Sequence, residues 1–182
     1  MLRAFLSHLK HLAFAPPMRA DKWADRGGSA LPISPMATIG RKHLPHNGGP
    51  LNSANPEGEV YFITICCMPR GSNQLANAGT WQAIDKAISQ KESSGELTCR
   101  LALAMPDHFH ALLGFPGTKP MVQVVTALKS WMASRHGIRW QRDFFDHRVR
   151  GWESAQEKAK YIRMNPVRAG LVADPEDWPY QR

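Results

Sequence analysis

From residue 59 onward, short runs rich in β-branched and aromatic residues alternate with longer stretches of helical spacing. Residues 59–68 (EVYFITICCM) predict a strand. Residues 80–94 place Trp81, Ile84 and Ile88 at helical spacing with polar positions between, and Gly95 follows as the expected stop. Residues 97–104 read as a strand, Met105-Pro106-Asp107 as a turn, and residues 108–115 as the returning strand of a hairpin. Residues 120–136 repeat the helical spacing through Val122, Val125, Leu128 and Met132, with Pro120 in the first turn and Gly137 past the end. Residues 138–149 fit a strand or an extended loop. Residues 153–164 predict a helix closed by Asn165-Pro166. The first six elements follow a split βαβ, ferredoxin-like plan, an α+β fold with an antiparallel sheet, and a C-terminal helix follows them.

The segment before residue 59 is different. Ala15-Pro16-Pro17, Gly27-Gly28, Pro32, Pro35, Pro45, Pro50 and Pro56 break any long periodic run. Residues 1–20 could form one short amphipathic helix through Leu2, Phe5, Leu9 and Leu12, but Lys10, His8 and His11 interrupt a signal-type apolar core. Residues 1–40 are therefore expected to be an extension, with Met18 and Met36 as in-frame alternative starts, and residues 41–182 the working domain.

Composition narrows the class. The 182 residues are 43% hydrophobic, enough for a packed core. No apolar run is long enough to span a membrane as a helix. Cys66, Cys67 and Cys99 fit neither a disulfide framework nor a zinc spacing, which suits a reducing compartment. The formal charge is +8, and a basic domain points to an anionic partner, nucleic acid first. Residues 1–55 carry net +5 of this, whereas residues 135–168 carry nine basic and four acidic side chains. That second, localised excess is the more informative one.

Three groups of residues could do chemistry. His108 and His110 are two apart on a predicted strand, so both imidazoles leave one face while Phe109 points to the other. Such a pair can share a metal ion or simply be two surface histidines. Tyr161 and Asn165 are four apart on the last helix, with Glu157 and Lys158 on the same side. Tyr161 could be a nucleophile or a core residue, and Asn165 an oxygen ligand for a hard cation or a helix stop. Residues 143–150 (DFFDHRVR) could face nucleic acid as a basic, aromatic strand or pack Phe144 and Phe145 inward. No GxxxxGK[ST] string is present, so no nucleotide cofactor is expected.

Residues 105–113 (MPDHFHALL) resemble the His-hydrophobic-His motif of single-tyrosine HUH transposases. Residues 161–172 (YIRMNPVRAGLV) resemble the nucleophile helix of one branch, the REP-associated tyrosine transposases. Residues 145–150 (FDHRVR), 178–180 (WPY), 41–46 (RKHLPH) and 61–65 (YFITI) are similar to that branch as well, in the same order along the chain. The long string is specific; the His-x-His pair alone is not. The resemblance implies an HUH endonuclease-type fold and a bacterial, cytoplasmic DNA transposase that nicks and rejoins single-stranded or hairpin DNA, such as REP-like palindromes. By the matching positions, Tyr161 is the nucleophile, giving a 5′-phosphotyrosine intermediate. His108 and His110, with Asn165 as third ligand, would hold Mg²⁺ or Mn²⁺. Arg148, Arg150, Lys158 and Arg168 would contact DNA, and the branch is expected to act as a monomer. Two alternatives stay open: a non-catalytic (domesticated) DNA- or RNA-binding module on the same fold, and a metal-dependent nuclease using water with Tyr161 as spectator.

Overall fold

The computed structural model describes residues 59–182. The expectations for residues 1–40, including the short helix, and for residues 41–46 lie outside the described residues.

Strands β1 (Glu59–Cys66), β2 (Thr98–Met105), β3 (His108–Phe115) and β4 (Phe145–Arg148) form one antiparallel sheet in the order β2-β3-β1-β4. Helices α1 (Ala78–Ser93) and α2 (Met121–His136) make the two crossovers of a split βαβ plan. The order β1-α1-β2-β3-α2-β4 is the one the hydrophobic pattern predicts. The ambiguous residues 138–149 resolve into a loop and a four-residue edge strand.

Each strand alternates faces, and the two faces meet different partners. Tyr61, Ile63 and Ile65 of β1 and Phe109, Ala111 and Leu113 of β3 face α1 and α2, packing with Ile84, Ile88, Val124, Val125, Leu128 and Met132. Asn77 caps α1 by accepting the Thr80 N–H at 2.9 Å. Gly137, with φ of 66°, ends α2 in the left-handed conformation that a side chain would disfavour.

The opposite face carries Val60 and Phe62 of β1, Leu101, Leu103 and Met105 of β2, and Leu112 of β3. Helix α3 (Trp152–Arg163) covers it, with Ile162 completely buried among those side chains. After Met164 the chain restarts as a one-turn helix, α4 (Asn165–Arg168). Pro166 is tolerated there because a first-turn N–H has no intrahelical acceptor to lose. Asn165-Pro166 thus breaks the helix as expected but also starts the next turn.

The C-terminal residues return to the outer edge of β2. Ala102 and Arg182 exchange both backbone hydrogen bonds, and the Ala104 N–H donates to the Tyr180 carbonyl at 2.9 Å. The Trp178 indole N–H donates to the Ala104 carbonyl at 3.0 Å from a buried position. This segment gives the β2 edge a partner, removing a row of unpaired backbone groups. No helix among the described residues is long and apolar enough to cross a membrane.

Candidate active site

The two-residue turn between β2 and β3 sets the first side chains. Met105 pairs with His108 across the hairpin, so Pro106 and Asp107 form its tip. Backbone bonds clamp that tip to the segment after β1. Cys67 N–H donates to the Asp107 carbonyl at 2.8 Å, and Gln74 and Leu75 N–H both donate to the Pro106 carbonyl.

His108 and His110 leave β3 on the face that α3 covers, opposite to Phe109, as the strand alternation requires. Their rings are 4.8 Å apart, centroid to centroid. Each has its Nδ1 occupied. His108 Nδ1 is 2.7 Å from Asp107 Oδ1, and an ionised carboxylate can only accept, so the imidazole donates there and its Nε2 keeps a lone pair. His110 Nδ1 shares a 2.8 Å hydrogen bond with the Thr64 hydroxyl, its cross-strand neighbour on β1.

Burial lowers the His110 pKa to about 3, and the charges of His108 and Arg70 push it the same way. His110 is thus neutral at pH 7, the form that binds metal. Burial alone would raise the Asp107 pKa. Hydrogen bonds from His108 and the Gly71 N–H, with the adjacent Arg70 charge, outweigh it and hold the carboxyl below its ordinary value. Gly71 makes that contact at a φ of 80°, where a β-carbon would be strained.

Tyr161 reaches this pair from α3. Its ring is 6.0 Å from the His110 ring at an interplanar angle of 74°. Phe62, stacked under His110 at 5.6 Å, meets Tyr161 edge-on at 5.9 Å. Ile162, the next residue, is the anchor that sinks into the core and leaves Tyr161 at the rim, 40% exposed. Tyr161 is thus open to solvent while its neighbour is fixed in the core.

No protein-family model matches the chain. An Escherichia coli REP-associated tyrosine transposase is 24% identical over 127 residues, covering 68% of this chain and 76% of that protein. A Haemophilus influenzae protein provisionally given the same name is 26% identical over 148 residues, covering 68% and 79%. The solved structure of a REP-associated tyrosine transposase bound to a REP hairpin superposes with a TM-score of 0.61 at 25% identity, covering 69% of this chain and 76% of that one. The chain is similar in sequence and in fold to REP-associated tyrosine transposases.

In this chain the remaining expected residues fall into distinct places. The Asn165 side-chain amide donates to the Tyr161 carbonyl at 2.9 Å and to the Ile162 carbonyl at 3.2 Å. Its Nδ2 thus closes the end of α3, and only its Oδ1 has ligand chemistry to offer. No cluster of three or more His, Cys, Asp and Glu side chains suited to a metal occurs among the described residues. The two oriented imidazoles, 4.8 Å apart, have donor chemistry that fits a divalent ion.

Arg168 turns back from α4 to place its guanidinium 5.0 Å from the Tyr161 ring centroid. Lys158, one turn before Tyr161, holds its ammonium 5.7 Å from the Phe62 ring. Arg150 is exposed between β4 and α3. Arg148 does not share their face. It lies opposite Tyr61 in the β1–β4 register, so it projects to the α1/α2 side, where it is ion-paired with Glu59. One residue of strand alternation separates the two faces, and residues 138–149 could not be phased without the register. His147, opposite Phe62, takes the site-facing position instead.

Asp107, Thr64, Phe62 and Arg70 are the residues that sequence reasoning missed. Asp107 adjoins the His-x-His string and could have been found as its carboxylate support. Thr64 and Phe62 reach the site only through the β1–β3 register, and Arg70 only through the clamp on the hairpin tip.

Proposed function

We propose that the protein is a DNA transposase that nicks and rejoins single-stranded or hairpin-bearing DNA through Tyr161. The observation that carries this reading is the meeting of Tyr161 with His108 and His110 at one place in one chain. A non-catalytic binding module would have no reason to gather a rim tyrosine and two imidazoles with occupied Nδ1 atoms. Convergence within a single chain also supports a site complete in a monomer.

The phosphodiester is an anionic electrophile. The Tyr161 hydroxyl attacks phosphorus and loses its proton as the bond to the 3′ oxygen breaks. One fragment carries a 5′-phosphotyrosyl link and the other a free 3′-OH. Because the link retains the ester, a second 3′-OH can reverse the step and join new ends. His108 and His110, with Asn165 Oδ1, would hold Mg²⁺ or Mn²⁺, which when bound neutralises phosphate charge and polarises the phosphorus. Arg168 brings positive charge to the ring of the nucleophile, and Lys158 brings it to the neighbouring turn. The named relatives are REP-associated tyrosine transposases, one of them bound to a REP hairpin, and REP-like palindromes are the substrates proposed here.

The test is incubation of the full chain with end-labelled, hairpin-flanked single-stranded DNA and Mn²⁺, resolved under denaturing conditions. A protein–DNA adduct stable to denaturant is expected. Cleavage without any adduct would instead identify hydrolysis by water, and binding without cleavage a non-catalytic module.

A further inference from the structure

The chain enters β4 with two adjacent phenylalanines, and the sheet separates them. Phe144 packs against the helix-side core, with the Lys129 ammonium 5.8 Å from its ring centroid. Phe145 projects to the site face. In the register it lies opposite Thr64, and Thr64 lies opposite His110. Phe145 and His110 therefore belong to one cross-strand row with β1 between them, roughly 10 Å apart at two strand spacings.

Phe145 is 39% exposed, a large apolar ring at the rim of a polar site. Phe62 braces it edge-on at 6.0 Å and 67°. The same Phe62 touches His110 and Tyr161, so one aromatic cluster runs from the reacting groups to the edge of the sheet. Two cations stand beside the cluster, Lys158 over Phe62 and Arg168 over Tyr161, and the exposed His147 shares the face of Phe145. Braced rings flanked by cations on an open face suit a single strand, whose bases offer π-faces and whose phosphates offer charge.

We infer that Phe145 is a stacking platform for an unpaired base of the single-stranded DNA, within about two nucleotides of the phosphate that Tyr161 attacks. The inference rests on the reading of Tyr161, His108 and His110 as the reacting site, and it adds a position in the substrate strand that the protein grips without reading its identity. Stacking accepts every base, so Phe145 sets the register of the strand and not its sequence. The Phe62 brace keeps the ring from turning when the strand arrives.

The experiment measures hairpin DNA binding by the full chain in EDTA, with one abasic nucleotide walked along the single-stranded flank. The wild-type protein is expected to lose ~5- to 100-fold in affinity at one flank position. Phe145→Ala should show the same loss on unmodified DNA and no further loss from the abasic substitution there, while Phe145→Trp should restore both. Circular dichroism establishes that each variant is folded. Retained abasic sensitivity in Phe145→Ala, or an equal loss on a blunt hairpin without a flank, would overturn the platform. Adduct formation with Mn²⁺ is scored separately on the wild-type chain. An adduct without the coupling defeats the platform alone, and the coupling without an adduct defeats the transposase chemistry alone.

Discussion

The Tyr161 ring stands edge-on to the His110 imidazole, 6.0 Å from centroid to centroid, within one chain. The two residues come from elements far apart in sequence, a sheet strand and the helix that covers it. Phe62 lies beside both, 5.6 Å from the His110 ring and 5.9 Å from the Tyr161 ring. The alignment of Tyr161 with the histidine pair is therefore a property of core packing, and perturbing that packing should perturb the proposed chemistry.

Replacing the Tyr161 hydroxyl removes the proposed nucleophile while keeping the ring contacts to Phe62 and His110. Tyr161→Phe is expected to abolish covalent capture completely and to leave hairpin affinity within about 3-fold of wild type, a change under ~1 kcal/mol. A denaturing gel and a binding titration measure the two quantities. An adduct from the Phe variant would remove Tyr161 from its assigned role.

The histidine supports should matter almost as much as the histidines. His108→Ala or His110→Ala, or EDTA, should eliminate cleavage. Asp107→Ala and Thr64→Val leave both imidazoles in place but remove the partners of their Nδ1 atoms. Each should raise the Mn²⁺ concentration needed for half-maximal cleavage by ~10- to 100-fold. Unchanged metal dependence in both variants would mean that the imidazoles are oriented by something else.

Arg168 and Arg148 should separate cleanly. Arg168→Gln removes the cation over the Tyr161 ring. It should slow adduct formation by at least ~2- to 5-fold at saturating DNA, the scale of one exposed cation–π contact, and Arg168→Lys should recover part of that. An unaltered single-turnover rate would contradict the assignment.

Arg148 is paired with Glu59 on the face away from the site. Arg148→Ala should leave the salt dependence of DNA affinity unchanged and lower stability by no more than ~1 kcal/mol. Arg150→Ala, at an exposed position before α3, should reduce the slope of log affinity against log salt by about one unit. Titrations at several salt concentrations distinguish the two arginines, and a shallower slope for Arg148→Ala would reverse their roles.

The anchor of α3 should be sensitive. Ile162 has no exposed surface and packs with Phe62, Leu103 and Leu112. Ile162→Ala should destabilise the fold by ~2–5 kcal/mol, read as a lower midpoint in thermal or denaturant unfolding. A loss below ~1 kcal/mol would show that α3 is only loosely seated.

The local periodicities were legible because they are dictated locally. Period-two alternation in β1 and β3 placed His108 and His110 on one face and Phe109 on the other, and the sheet keeps them so. Of the spacing Val122, Val125, Leu128 and Met132, the last three lie on the buried side of α2; Val122 is half-buried and Val124 takes a core position instead. Asn165-Pro166 marked the end of α3. The string from Tyr161 to Val172 carried the resemblance to REP-associated tyrosine transposases.

What the sequence determined by itself was thus the element order, the facing of the histidine pair, and the candidate nucleophile on the last long helix. Tertiary structure alone decided which groups surround them. Thr64 supports His110 because β1 and β3 pair in one register, and Arg148 turns away because β4 pairs with β1 in another. The two phenylalanines of residues 144–145 divide between core and site for the same reason. Strand register is a long-range relation, set by how two distant segments bury their apolar sides together. No pattern within either segment contains it.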